Sequence, residues 1–211
     1  MGKGIGILGG TFDPVHFGHL RLALEVYQAL DLTEVRLIPL HTPPHRRAPI
    51  AGPTQRLTML QLAVTGTTGL VVDDREIIRG KTSYTVETLQ SLRTEIGDTP
   101  LFLILGVDAF QSLNTWYLWT AIPEYAHIIL AGRPGSKETF KHNEVRKLYS
   151  SRVCNNRSAL RKPCGRIMKI DVPALDISAT RIRSLCSQNK ELHYLLPDDV
   201  ISYIKRESLY T

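Results

Sequence analysis

Ile5-Gly-Ile-Leu-Gly-Gly-Thr-Phe-Asp-Pro-Val-His-Phe-Gly-His19 decides how the rest of the chain is read. Its first four residues form an apolar run that stops at Gly9-Gly10, the pattern of a buried strand entering a tight loop. From about Gly18 to Leu30 the period changes. Leu20, Ala23, Leu24, Tyr27 and Leu30 recur three or four apart, which is one face of a helix. Val35 to Leu40 is apolar and β-branched enough for the next strand. Strand, loop, helix and strand in this order predict a parallel sheet with a covering helix.

Outward from this unit the alternation continues. The spacing predicts a helix over Thr54 to Val64, a short strand over Gly69 to Asp73 and a helix over Ser83 to Ile96. Leu101 to Leu105, ending at Gly106, is almost wholly apolar and suits the middle of a sheet covered on both faces. A helix over Asn114 to Ile122, a strand over Ala126 to Ala131 and a charged helix over Lys137 to Tyr149 follow. Asn155 to Gly165 reads as a surface excursion, and Ile167 to Val172 as the last strand. Helices over Ala179 to Ser187 and Asp198 to Glu207 finish the chain. Prolines exclude regular structure from His41 to Pro49. The expected class is α/β, a Rossmann-like open parallel sheet flanked by helices. One domain over 1–211 is expected, including a C-terminal helical segment at about 178–207. Several strands stop at glycine or a polar group, on the carboxyl edge where open sheets bind ligands.

Composition bounds the function. At 211 residues, 43% hydrophobic and 22% charged, the chain is globular rather than disordered. Folding at this size buries roughly 70% of the unfolded surface, enough for a core without disulfides or metal. Lys and Arg number 26 against 20 Asp and Glu, and the net charge of +6 favours anionic partners without selecting one. The charge reads as dispersed and no complete RNA motif is present. Cys154, Cys164 and Cys186 match no zinc spacing and are expected to be reduced thiols in a cytoplasmic protein. Neither a secretory signal nor a membrane-length apolar run is found, and both a monomer and a homo-oligomer are compatible with the sequence.

Three constellations could carry chemistry. In the first, Gly9 and Gly10 let backbone approach a ligand, while the helix starting near His16 to Gly18 aims unpaired amides at the same space. His16 and His19, three apart, share a face and can each donate to a phosphoryl oxygen. Surface caps and a zinc site are the competing readings, the latter kept open weakly by His41 and His45. In the second, Ile177-Ser-Ala-Thr-Arg-Ile-Arg183, Ser178 can cap a helix, and Thr180 and Arg183 can face one anion; an ordinary capped helix competes. In the third, Asp108 after Gly106 can accept from a ribose hydroxyl or order a magnesium-bound water, and Trp116 and Tyr117 offer flat surface for stacking. A core tryptophan is the alternative. Ser83-Tyr-Thr85 could offer amides to a carboxylate or be a simple cap. His45 and Arg46 could hold a second phosphate or be solvated charges, and Arg133 carries the same ambiguity.

Together these motifs resemble the nucleotidyltransferase superfamily with the histidine-x-glycine-histidine signature, and more narrowly the bacterial nicotinate-nucleotide adenylyltransferases. Gly9 to His19 and Ile177 to Arg183 carry the broader resemblance. Pro43-Pro-His-Arg46, Ser83 to Thr85, Gly106 to Asp108, Thr115 to Tyr117 and Arg133-Pro-Gly135 fit the narrower group in order. The resemblance implies a nucleotidyltransferase-type fold and transfer of AMP from ATP to nicotinic acid mononucleotide, with Mg²⁺ accompanying ATP and no metal ligand directly assigned. It implies ATP contacts at Gly9, Gly10, Thr11, Phe12, His16, His19, Asp108, Ser178 and Arg183, with His16, His19 and Arg183 as catalytic groups. It implies substrate contacts at His45, Arg46, Thr85, Trp116, Tyr117 and Arg133, and no membrane or stable nucleic acid partner. Leu40 and His41 stand where the group commonly has two asparagines, and Val107 replaces a usually small or polar residue. Direct in-line attack is expected, since the acceptor phosphate is already ionised and needs no strong base. A related transferase with another phosphate acceptor, and a nonenzymatic nucleotide- or RNA-binding protein, are the alternatives.

Overall fold

The computed structural model describes residues 3–44, 48–133, 139–173 and 175–211. Within them six strands, β1 (Ile5–Gly10), β2 (Glu34–Pro39), β3 (Leu70–Val72), β4 (Leu101–Gly106), β5 (His127–Gly132) and β6 (Ile167–Asp171), form one sheet in the order β3-β2-β1-β4-β5-β6. Every pairing is parallel. The order runs outward in one direction from β1 and in the other from β4, so the crossovers part between these two strands. That boundary opens a crevice at the carboxyl edge.

Helices cover both faces: α1 (Phe17–Leu30), α2 (Pro53–Val64), α3 (Arg75–Arg79), α4 (Thr85–Ile96), α5 (Val107–Gln111), α6 (Ile122–Tyr125), α7 (Asn143–Arg152), α8 (Ala179–Ser187) and α9 (Asp198–Arg206). Alternate strand residues feed two apolar clusters, as the two-residue strand period requires. Phe102 and Ile104 of β4 join Leu20, Ala23, Met59, Ile182 and Ile204 on one face. Leu101, Leu103 and Leu105 join Leu89, Phe110 and Ile122 on the other. The C-terminal helix α9 buries Val200, Ile201, Tyr203 and Ile204, and thereby brings the end of the chain back against the first loop.

Three expected elements differ and two short helices are added. Asn114 to Ile122 is not one helix but two short 3₁₀ turns, Leu113–Thr115 and Trp119–Ala121, followed by α6. Leu118 between the turns is left-handed (φ 47°), which no continuous helix accommodates. The charged helix expected from Lys137 to Tyr149 begins only at Asn143 and extends to Arg152. The Asn155 to Gly165 excursion contains a 3₁₀ turn, Arg157–Arg161. Two five-residue helices, α3 and α5, are additional; each is too short to show a helical period.

Candidate active site

β1 ends in Gly9-Gly10, and the two glycines differ in kind. Where Gly10 would carry a side chain, the Phe12 ring lies within 2.9 Å; where Gly9 would, nothing lies within 4 Å. Gly106, at the end of the neighbouring β4, is likewise open. Two missing side chains on either side of the strand-order boundary thus leave space for a ligand against bare backbone. Phe12 takes a left-handed conformation (φ 49°) and is 2% exposed. Its ring belongs to the core, so only main chain is left at this position for a ligand. Thr11 is half-buried, and its carbonyl accepts from the Arg56 guanidinium at 2.7 Å.

His16 is the N-cap of α1 and His19 lies one turn in, their rings stacked 3.7 Å apart between centroids. The His16 amide donates to Nδ1 of His19 at 3.3 Å. That bond places the His19 proton on Nε2, where it can be donated. Nδ1 of His16 is buried without a partner among the described residues. Burial pushes His16 down to about 4; burial and then the neighbouring His16 push His19 down to about 3. At neutral pH the pair therefore presents uncharged N–H donors. Gly18 between them matters sterically, because a Cβ there would meet the His16 ring at 3.0 Å.

The late motif arrives at the same loop. Ser178 caps α8, its hydroxyl accepting from the Arg181 amide at 3.3 Å. Arg183 donates to the Asp13 carbonyl at 2.6 Å and to the Thr180 hydroxyl at 3.2 Å. The His19 ring stands edge-on to Phe12 with centroids 5.0 Å apart. His19 and Arg183 thus both contact the turn Phe12-Asp13.

Thr85, Trp116 and Tyr117 lie in a second group with Tyr84. Thr85 is the first residue of α4, where amides lack intrahelical partners. Tyr117 is exposed and packs its ring 4.7 Å from that of Tyr84. Trp116 leans on the second core cluster, and its amide is already bonded to the Leu113 carbonyl. Tyr117 is thus the exposed ring here, and Tyr84 and Trp116 are both half-buried. A cavity of about 450 Å³ lined by Lys81, Thr82, Tyr84 and Glu87 lies beside the pair. Asp108 is exposed in the first turn of α5, and Arg133 is exposed just beyond β5. His45 and Arg46 lie outside the described residues. Where asparagines were expected, the Leu40 amide bonds to the Gly10 carbonyl at 3.0 Å and the His41 amide to the Ser83 hydroxyl at 2.9 Å. These amides tie the loop to its neighbours.

Sequence reasoning missed the residues that hold this edge together. The Asp13 carboxylate, 6% exposed, accepts from the amides of Ile50 (2.9 Å) and Ala51 (3.1 Å) and from the Tyr210 hydroxyl (2.7 Å). Burial, and the bond to Asp13, hold the Tyr210 phenol well above its usual range. Arg56 is fully buried and donates to the carbonyls of Ala51, Thr11 and His41. One side chain thereby pins the loops after β1 and β2 together. Burial lowers the pKa of Arg56 from its ordinary value, Asp13 and Tyr210 acting in the opposite sense.

The cytidylyltransferase-like family model matches residues 7–185, from the first strand through the late arginine motif. A probable nicotinate-nucleotide adenylyltransferase of Pseudomonas fluorescens is 45% identical over 211 residues, covering 100% of this chain and 98% of that protein. One of Aeromonas salmonicida is 43% identical over 98% of this chain and 96% of its own length. Among solved structures, the Plasmodium falciparum nicotinic acid mononucleotide adenylyltransferase complexed with NaAD superposes with a TM-score of 0.75, covering 99% of this chain and 97% of that one. At 16% identity that likeness speaks for the fold alone. With matches of this length and identity, the chain belongs to the cytidylyltransferase-like nucleotidyltransferases and, within them, to the bacterial nicotinate-nucleotide adenylyltransferase group.

Proposed function

We propose that this chain transfers the adenylyl group of ATP to nicotinic acid mononucleotide, forming nicotinic acid adenine dinucleotide and releasing pyrophosphate. The observation that carries the reading is the meeting of His19 and Arg183, from opposite ends of the chain, on the turn Phe12-Asp13. An acceptor phosphate oxygen attacks the α-phosphorus of ATP. The new P–O bond forms as the bond to the bridging oxygen breaks, and its electron pair leaves on pyrophosphate. The attacking oxygen carries no proton at neutral pH, so no side chain is needed as a base.

The demand on the protein is to hold two anions together and to stabilise charge on the α-phosphoryl group and the leaving pyrophosphate. In this reading the N–H groups of His16 and His19, the Ser178 hydroxyl and the Arg183 guanidinium meet the ATP phosphates. Gly9, Gly10, Thr11 and the main chain of Phe12 line their approach, and Asp108 meets the ribose. Thr85 and Tyr117 offer amides to the nicotinate carboxylate beside the ring surface of Tyr84, Tyr117 and Trp116. His45 and Arg46 take the mononucleotide phosphate and Arg133 the rim. Mg²⁺ belongs to this reading as a companion of ATP, supplying charge neutralisation on the phosphates when bound. Among the described residues no three His, Cys, Asp or Glu side chains group to hold a metal ion; in this reading Asp108 is the carboxylate assigned to the ribose or to a magnesium-bound water. The described part of the chain contains no helix long and apolar enough to cross a membrane; a cytoplasmic setting is supported by three free cysteines.

Side-by-side initial rates with nicotinic acid mononucleotide, its amide and pantetheine phosphate test the acceptor. The carboxylate substrate should lead, because a site built for an anion leaves polar groups unpaired against the neutral amide. Equal rates with the amide, or preference for pantetheine phosphate, overturn the assignment. Chiral α-phosphorus tests the chemistry: a single in-line displacement inverts, and retention would require a covalent intermediate.

A further inference from the structure

The charge that reads as dispersed along the sequence is in fact concentrated. Between Glu144 and Asp171 there are eight Lys and Arg and no Asp or Glu. The rest of the chain holds the remaining 18 basic residues against 20 acidic ones, so the whole positive excess resides in this stretch. It comprises α7, the 3₁₀ turn Arg157–Arg161 and the loop leading into β6.

The loop is rigidly framed. The His127 ring is fully buried, and burial lowers its pKa, leaving it neutral. Its Nδ1 accepts from the Arg166 amide at 3.0 Å, so Nε2 carries the proton and donates to the Lys162 carbonyl at 2.7 Å. Arg93 donates to the Pro163 carbonyl at 3.1 Å, and Arg152 to the Gly165 carbonyl at 3.2 Å. Gly165 itself has φ 102°, a conformation that suits glycine. Main-chain bonds thus hold the loop, while the Lys162 and Arg166 side chains are left exposed. They border an open basin of about 420 Å³, lined by Ser151, Arg152, Lys162, Cys164, Gly165 and Arg166. None of its three cations forms an ion pair among the described residues.

We propose that this basin is a second anion site, which takes a small, multiply phosphorylated ligand. Three cations around a preformed turn suit adjacent phosphate groups. Nucleic acid fits less well, since stacking surface is missing: Tyr149 is the one aromatic residue of the stretch, and it packs against the second core cluster. The basin lies at the amino edge of the sheet, where Leu101 begins β4 by bonding to the Pro163 carbonyl. Gly9 and Gly106 lie at the carboxyl edge. Six-residue strands separate the two edges by about 17–20 Å, so the basin is distinct from the catalytic crevice.

The test is a titration of the ¹⁵N-labelled full chain with sodium tripolyphosphate at low salt, read residue by residue. The amides of Gly165 and Arg166 should shift saturably, independently of Gly9 and Gly10. In Lys162→Gln/Arg166→Gln, whose exposed side chains do not make the His127 bonds, the basin should bind at least tenfold more weakly. The Gly9 and Gly10 response and the initial rate without tripolyphosphate should be unchanged. Shifts confined to the catalytic loop overturn the proposal, as do basin shifts that fail to saturate or persist in the double variant. A single-stranded RNA that saturates the basin where tripolyphosphate does not also overturns it.

Discussion

Tyr210→Phe isolates one bond in the network beneath the turn Phe12-Asp13. It deletes a hydroxyl 2.7 Å from the buried Asp13 carboxylate and leaves the ring, 5% exposed, in place. Asp13 then keeps the amides of Ile50 and Ala51, with Arg183 Nη1 4.0 Å away. A hydrogen bond to a charged group contributes about 1.5–3 kcal/mol. For a chain of this length each kcal/mol moves the melting midpoint by about 2–4 °C, so a fall of about 3–12 °C is expected. The catalytic consequence follows from the other side of the residue, because the Asp13 carbonyl anchors Arg183 at 2.6 Å. Misplacing a positioning group by about 1 Å costs on the order of a hundredfold. A carboxylate with two of its three close donors left should allow part of that movement, and kcat should fall about tenfold, more than KM for ATP changes. Thermal melts and ATP-saturated initial rates read the two effects. Tyr203→Phe is the control: Tyr203 is also buried, but its hydroxyl has no hydrogen-bond partner among the described residues. If Tyr210→Phe matches that control in both melting midpoint and kcat, the network does not position the turn.

His19→Ala and Arg183→Ala should each lower kcat by about 2.7–4 kcal/mol of lost transition-state stabilisation while far-ultraviolet circular dichroism stays that of the parent; unchanged rates in folded variants would remove both from the chemistry. Gly18→Ala should separate stability from activity: alanine favours the helix by up to about 1 kcal/mol, but its Cβ displaces the His16 ring from 3.0 Å. Activity should fall with no loss of melting temperature, and a fully active variant would contradict the steric account. The pH dependence has a defined sign. His16 and His19 sit at about 4 and about 3 in the folded chain against 6.5 ordinarily, so the unfolded chain binds more protons between these values. Their stabilising contribution is whole above pH 6.5 and is lost as pH falls through the folded values, with a slope of up to about 1.4 kcal/mol per pH unit per histidine. Urea unfolding of the parent and His19→Gln from pH 7 to 4.5 should give converging curves; parallel ones would show that His19 is not held neutral.

The strand–helix alternation was legible because each central strand is buried on both faces and therefore contiguous in apolar residues, as Leu101 to Leu105 is. The pairing of His16 with His19 and of Thr180 with Arg183 was legible because each pair is three residues apart at a helix start, where sequence spacing is spatial spacing. The supports were not. Tyr210 reaches Asp13 across nearly the whole chain, and nothing near Tyr210 in sequence marks it. Arg56 stands among Thr54, Gln55 and Thr58 and reads as solvent-facing, yet it is fully buried because three carbonyls from two loops converge on it. Gly9 and Gly10 are indistinguishable as letters, although one opens the crevice and the other is filled by Phe12. Tyr84 was passed over because a tyrosine before a helix carries no signal until Tyr117 is seen against it.

At the turn Phe12-Asp13, Arg183 is held without a direct hydrogen bond to the Asp13 carboxylate. A carboxylate four ångströms from a guanidinium would ordinarily compete with an incoming phosphate for it. Here Asp13 directs its oxygens to two amides and a phenol, and offers Arg183 its main-chain carbonyl at 2.6 Å in place of a direct carboxylate bond. The carbonyl fixes the fork without neutralising it, leaving further N–H groups for an anion. The two imidazoles add donors but no charge at neutral pH. Positive charge at the turn therefore comes from Arg183, from Arg56 behind the Thr11 carbonyl and from the helix termini, partly offset by the Asp13 carboxylate, while His16 and His19 contribute uncharged donors. If the proposed ATP contacts at His16 and His19 hold, ligand charge raises the proton affinity of two rings that burial lowers. Proton uptake on ATP binding, followed by calorimetry in buffers of different ionisation enthalpy, is the expected signature; binding without proton uptake would place the phosphates away from both rings.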